Sequence, residues 1–274
     1  MFKIIIMALL IFIGMVGYDN ITDKAQPTTP VQQEQQKVSK HEKSAAMALF
    51  TSLLPPKEEW PSPVHKFYLA FNMNEVIDPI RQNPNWTSLD AMSRDIPQAL
   101  IAIEDHAFYN HGAIAVEGIL RATLANINAG EVVQGGSTLT QQFVKNVFLS
   151  HEQSMERKIE EAVLSLMLED NYSKDEILEL YLNTTYFGAG STGIKQASRT
   201  YFGKAPSALT LAEAAVIASL PYAPTSLNPL ENPEGCKKRQ LLVLAAMHKY
   251  GIINQGQLAE AKAEKIRLTN GTVM

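Results

Sequence analysis

Cysteine is nearly missing from this chain: Cys236 is the only one in 274 residues, so no disulfide forms within it, and a single thiol does not separate cytoplasm from periplasm. The six histidines show no zinc-ligand spacing. Positive charge is not in excess either, since 24 Lys and Arg face 28 Asp and Glu for a net charge of -4. That argues against a protein that grips nucleic acid through bulk positive potential, and any anion site must be local. The nucleotide signature GxxxxGK[ST] is absent. Strand signals are scarce, which leaves a mainly α fold class. What is present is a globular composition, 46% hydrophobic and 19% charged, with length enough for one domain and a substantial core.

Ile4 to Val16 is an unbroken apolar run of 13 residues with Lys3 in front and Asp19 behind. It is short of the roughly 20 residues of a membrane helix, yet Phe2, Gly17 and Tyr18 extend it. No clear A-x-A site follows, which favours an uncleaved anchor over a removed signal peptide, and both export the remainder. Residues 1–18 are therefore expected to form a signal-anchor segment. Residues 19–63 are expected to be a tether, rich in Gln near Gln32 to Gln36 and in Pro at 55, 56, 61 and 63, and residues 64–274 the folded domain.

The stretch Gly135-Gly136-Ser137-Thr138-Leu139-Thr140-Gln141-Gln142-Phe143-Val144-Lys145 has no packing rationale. Two glycines and two hydroxyl residues predict a tight turn into a helix start, with Ser137 as N-cap, and Gln141, Gln142 and Lys145 gathered on one face. Free N–H groups at such a start, with Lys145 nearby, suit a phosphate-bearing ligand. An ordinary capped helix with a solvated lysine is the plainer alternative.

Upstream, Asp95, Pro97 and Gln98 have the spacing of a capping box before an apolar helix that delivers Glu104-Asp105 at its end. A carboxylate after Leu100 to Ile103 is expected to be desolvated and its pKa raised, as proton transfer requires; a surface acidic pair is the alternative. Between Ser154 and Asp170, Ile159, Ala162, Val163, Leu166 and Met167 read as the buried stripe. Arg157, Glu161, Leu164 and Leu168 lie opposite, so the helix is expected to be central, with an Arg157–Glu161 pair bordering a cleft. Ser173 to Glu176 and Thr210 to Glu213 are capping boxes of two further helices, the second ending at Pro221. Tyr186 to Gly193 is a glycine-rich turn suited to close backbone approach, Tyr222 to Pro229 is irregular, and a last helix covers about Lys238 to Tyr250.

Five blocks, spread over residues 89–229, together resemble the bacterial peptidoglycan glycosyltransferases, glycosyltransferase family 51, found as monofunctional enzymes and as the first module of class A penicillin-binding proteins. The blocks are Glu104-Asp105-x-x-Phe108-x-x-His111; Gly135 to Lys145; Arg157-Lys158-x-x-Glu161; Lys174-x-x-Ile177-Leu178-Glu179-x-Tyr181-Leu182-Asn183; and Leu211-x-Glu213-Ala214 with Ala223-Pro224 and Asn228-Pro229. The resemblance implies a lysozyme-like helical domain with an N-terminal membrane anchor, acting on the outer or periplasmic face of the cytoplasmic membrane. It implies polymerisation of lipid II into β-1,4-linked strands, with inversion at C1 and release of undecaprenyl pyrophosphate.

By position, Glu104 matches the general base and Glu161 the second glutamate, which assists the leaving diphosphate directly or through a divalent ion. Lys145, Arg157 and Lys158 match the diphosphate-holding cations, and Ser137, Thr138, Gln141, Gln142, Asp105, His111 and Asn183 the remaining substrate-binding set. No tightly bound cofactor is implied beyond a divalent cation, Mg2+ or Mn2+, at the diphosphate. The implied partners are lipid II, the growing strand, the membrane and other cell-wall synthesis proteins, with no nucleic acid. The chain departs from the family pattern in two places: Gly112 stands one position early with Ala113 after it, and Ser226 replaces a common tyrosine. No S-x-x-K occurs, so a monofunctional enzyme is expected. A lysozyme-like hydrolase and a non-catalytic anchored scaffold are the competing classes. The hydrolase has no diphosphate to bind with the cations, and the scaffold has no use for both glutamates.

Overall fold

The computed structural model describes residues 72–120, 135–149 and 154–274, together with Tyr68, Leu69 and Ile127. The apolar run at 4–16, the tether and its proline-rich end lie outside the described residues. Among the described residues no helix is long and apolar enough to cross a membrane.

The sequence Leu211-Ala-Glu-Ala-Ala-Val-Ile-Ala-Ser219 is small or aliphatic around its whole circumference apart from one glutamate, a pattern that suits a helix surrounded by protein. It forms α7 (Leu211–Ser219), and every residue from Ala212 to Ser219 is buried. Against it pack α2 (Asp95–Glu104) and α8 (Pro233–Lys249), which also touch each other. A second group of helices packs around α3 (Leu139–Phe148), which contacts both α4 (Met155–Asn171) and α5 (Lys174–Thr184). The remaining helices are α1 (Asn74–Arg81), seated on α5; α6 (Ile194–Phe202), against α5 and α7; and α9 (Gln255–Ala263), against α8. Among the described residues there is no strand beyond the isolated bridges Tyr186–Thr192 and Arg267–Val273, so the chain is mainly α as its sequence predicts.

Local signals account for most helix starts. Ser173 and Thr210 close complete capping boxes with Glu176 and Glu213, as their spacing requires. Asp95 does not cap: it is the first helical residue of α2, and Arg94 before it makes no side-chain cap bond. The last helix expected from sequence is longer and earlier than its apolar pattern, starting at Pro233 behind an Asn232 cap, and α9 follows it with an Asn254–Gln257 box.

The largest correction concerns α4. Of the expected stripe Met167 is buried, but Ile159 is 59% exposed and Ala162, Val163 and Leu166 are half-buried, while Glu161, Leu164 and Leu168 on the opposite side are buried together with Ser165. The face carrying the charged pair is the one packed against α3, and α7, not α4, is the central helix. Hydrophobicity marked two faces of α4 without ranking them.

The turn at 186–193 does bring backbones together. Gly188 has φ +88°, and a Cβ there would lie 2.2 Å from the Pro224 carbonyl oxygen, so a hydrogen at that position lets the irregular 222–229 segment lie against the turn. Several large apolar side chains stay exposed, among them Val116, Leu120, Ile127 and Met155.

Candidate active site

Glu104 ends α2, and the helix stops because Asp105 leaves helical geometry at φ -157°. The Glu104 carboxyl is raised above its ordinary range, chiefly by burial. The Gln142 hydrogen bond and the charges of Arg239 and Lys145 act the other way, and Asp105 adds a small upward push. Gln142 Nε2 donates to Glu104 Oε2 at 3.0 Å, and Tyr181 Oη in turn donates to Gln142 Oε1 at 3.0 Å. Among the described residues no hydrogen bond reaches Glu104 Oε1, so that oxygen is the one left to take a proton.

Asp105 ties three segments together. Its Oδ1 lies 2.6 Å from His111 Nε2, and its Oδ2 accepts the Leu139 N–H at 3.0 Å, at the first residue of α3. His111 Nδ1 lies 2.6 Å from the Gly112 carbonyl oxygen. Both ring nitrogens therefore face acceptors, and Asp105 raises the imidazole pKa. Asp105 and His111 thus fix the Glu104-bearing helix to the start of α3.

That start differs from expectation. Thr138, not Ser137, is the N-cap: its hydroxyl accepts from Gln141 N while Gln141 Oε1 accepts from Thr138 N, a full capping box. The box prevails because Gln141 lies three residues after Thr138, whereas the matching position for Ser137 is Thr140, too short to reach back. Gln141 is consequently buried and spent on the cap. The Leu139 and Gln141 N–H groups already have protein acceptors, so these two donors of the helix start are taken. The Thr138 hydroxyl also donates to the Ala113 carbonyl oxygen at 2.7 Å, which gives the early Gly112-Ala113 turn a partner.

Ser137, displaced from the cap, accepts from Lys158 Nζ at 3.0 Å. Lys158 also pairs with Glu161 Oε1, and Arg157 Nη1 donates to Glu161 Oε2 at 3.1 Å. Glu161 is 2% exposed, a carboxylate withdrawn from water and compensated by two cations from the preceding turn. Arg157 Nε is buried without a hydrogen-bond partner. Lys145 is exposed on α3 and close enough to Glu104 to act on its charge.

Two clusters result: Glu104 with Gln142, Lys145 and Arg239, and Glu161 with Arg157, Lys158 and Ser137. α3 and the turn before it join them. Asn183 lies apart: its amide donates to Thr87 O and Glu179 O at 2.8 Å each, and its oxygen accepts from Thr87 N. Its polar groups hold the 87 segment to α5.

Arg239 and Tyr181 escaped the sequence reading. Arg239 sits 4.1 Å above the ring of Tyr222, on a helix that starts earlier than its apolar pattern, and nothing in the spacing of α8 points from residue 239 to residue 104. Tyr181 belongs to a quoted block but carried no marker of its own. Lys174, from the same block, donates to Glu169, which also accepts from Thr140, and its ammonium lies 4.4 Å from the Phe108 ring centre. This contact bolts α5 and α4 to the loop after Glu104.

The family model described as Transglycosylase matches residues 73–248. A Cupriavidus necator protein described as a "putative transglycosylase" is 41% identical over 194 residues, covering 71% of this chain and 84% of its own length. Penicillin-binding protein 1A of Neisseria flavescens is 44% identical over 185 residues, covering 68% of this chain and 23% of its own. Penicillin-binding protein 1A/1B of Bacillus subtilis is 41% identical over 197 residues, covering 72% and 22%. The chain thus spans less than a quarter of these penicillin-binding proteins and most of the Cupriavidus protein.

Proposed function

The chain belongs to the transglycosylase family, and from that membership we propose that it is a peptidoglycan glycosyltransferase that polymerises lipid II, releasing undecaprenyl pyrophosphate. The observation that carries the proposal is Glu104, a carboxylate with raised proton affinity, one oxygen held by Gln142 and the other open. In the step proposed, the acceptor's sugar hydroxyl gives its proton to Glu104 Oε1 as its oxygen bonds to C1 of the donor. The C1–O bond to the diphosphate breaks with inversion, and the electron pair leaves on the diphosphate.

Lys145, Arg157 and Lys158 supply positive charge where that negative charge grows. Glu161 holds Arg157 and Lys158 in place through its two oxygens, so its contribution runs through the cations it orients. A diphosphate displacing Lys158 from Glu161 would keep the count of charge-assisted bonds. Mg2+ or Mn2+ at the diphosphate would screen its charge. Glu161 has both oxygens occupied, and no cluster of three acidic, His or Cys ligands stands ready among the described residues. The described residues therefore do not fit a resident divalent ion.

We place the catalytic domain at the outer face of the cytoplasmic membrane, with the 4–16 run as anchor, in reach of a polyprenyl-linked substrate. Against a hydrolase stands the cationic cluster, which cleavage of a neutral glycosidic bond does not need.

The test is polymerisation of labelled lipid II by the full chain with Mg2+ or Mn2+, resolved on a gel, against Glu104→Gln. A ladder of lysozyme-sensitive strands that falls by about 10²–10⁴-fold in rate in the variant is the expected result. Lipid II bound without any ladder would turn the assignment to a scaffold.

A further inference from the structure

Tyr181 is buried on α5 and 1% exposed. Its hydroxyl lies 3.0 Å from Gln142 Oε1, and Gln142 Nε2 lies 3.0 Å from Glu104 Oε2. We propose that Tyr181 is a positioning residue that sets which end of the Gln142 amide faces Glu104 and thereby favours the ionised form of the base. The inference rests on Glu104 being the base of the proposed reaction.

A primary amide has one donor end and one acceptor end. With its nitrogen toward Glu104 it stabilises a carboxylate; with its oxygen there it puts two acceptors face to face unless Glu104 carries the proton. The observed orientation therefore favours the carboxylate, and the reverse one requires a proton on Glu104. Tyr181 biases the choice because its proton is directed at Gln142 Oε1. Burial and the nearby Glu104 carboxylate push its own pKa up, so it keeps its proton throughout the working range. Thr185 Oγ1, buried and without a partner in normal hydrogen-bond geometry, borders the phenolic oxygen and can occupy its acceptor side. If the amide turned round, the Tyr181 proton would exchange the Gln142 oxygen for Thr185 Oγ1, which stands outside normal hydrogen-bond geometry, at a cost inside the core.

The other charges facing Glu104 are Arg239 from α8 and Lys145 from α3, which favour ionisation, and Asp105, which opposes it. None of them depends on the Tyr181 hydroxyl. The relay also keeps Oε2 occupied, so the proton taken from substrate goes to Oε1 without breaking the Gln142 bond.

The experiment is the pH dependence of kcat/KM for lipid II polymerisation by wild type, Tyr181→Phe, Gln142→Ala and the double variant. Carboxyl 13C NMR titration of Glu104 without substrate runs in parallel. Tyr181→Phe is expected to move the acid limb, and the NMR midpoint, up by about 0.5–1 pH unit. Gln142→Ala is expected to move them too, and the double variant no further than Gln142→Ala alone. An unmoved midpoint in Tyr181→Phe overturns the proposal, as does a double variant in which the two shifts add. If wild type makes no polymer, the function fails, and the NMR midpoints alone decide the relay. If Tyr181→Phe does not fold, 3,5-difluorotyrosine placed at 181, a stronger donor, is expected to lower the midpoint; no movement overturns the relay.

Discussion

Asp105 Oδ1 and His111 Nε2 meet at 2.6 Å while the opposite nitrogen of the ring meets the Gly112 carbonyl oxygen at the same distance. A neutral imidazole has one N–H and leaves one of these contacts as acceptor against acceptor, so the pair is built for the imidazolium. The folded pKa of His111 lies above its ordinary value of 6.5. Its stabilisation is therefore complete below that value and is lost as pH rises through the raised folded pKa. The Tm gap between wild type and His111→Gln is expected to be widest near pH 6 and to narrow in alkaline buffer. A gap that stays constant with pH contradicts the imidazolium.

Glu104 has the opposite consequence for stability. Its folded pKa is raised above 4.5, so the folded state holds its proton where the unfolded chain has released it. Wild-type stability falls as pH rises from the ordinary carboxylate value through the raised one. Glu104→Gln removes that loss. The variant is expected to melt above wild type at pH 7 and to converge with it below about pH 4, measured by calorimetry across the range. Lost activity accompanied by gained stability is the mark of a strained functional group.

Arg239 and Lys145 both favour the ionised form of Glu104, with Arg239 the larger influence. Arg239→Gln is expected to raise the acid limb of kcat/KM more than Lys145→Met. Lys145→Met is instead expected to raise KM more, since in the proposed reaction its exposed ammonium meets the diphosphate. The reverse order would remove Arg239 from the site.

Glu161 and Lys158 separate a buried charge from a half-wet one. Glu161 and Arg157 side chains are 2% and 16% exposed, whereas Lys158 is 42% exposed. Glu161→Ala strands Arg157 and is expected to cost about 3–5 kcal/mol. Lys158→Ala is expected to cost at most about 1 kcal/mol, and its effect appears in substrate affinity. Denaturant unfolding of the two variants measures the difference.

Capping chemistry made much of the fold legible, because a hydroxyl and a carboxylate three residues apart satisfy backbone donors whatever packs around them. Ser173 with Glu176 and Thr210 with Glu213 needed nothing further. At the start of α3 two hydroxyls compete, and only Gln141, three residues after Thr138, breaks the tie. Burial on α4 was not legible, since Ile159 and Leu164 both suit a core and only the position of α3 selects between them. The raised Glu104 carboxyl could be anticipated from the apolar residues before it. Arg239 reaches that carboxyl from a helix more than a hundred residues later, a relation fixed by how α8 lies on α2 and by no local pattern.

The hydrogen bond from Thr138 to Ala113 joins residues 25 positions apart, and Asp105 to Leu139 joins residues 34 apart. Both close the same excursion of chain at its neck. The spacing of Glu104 and Gln142 is thereby held at the neck itself, by Asp105 on one side and Thr138 on the other.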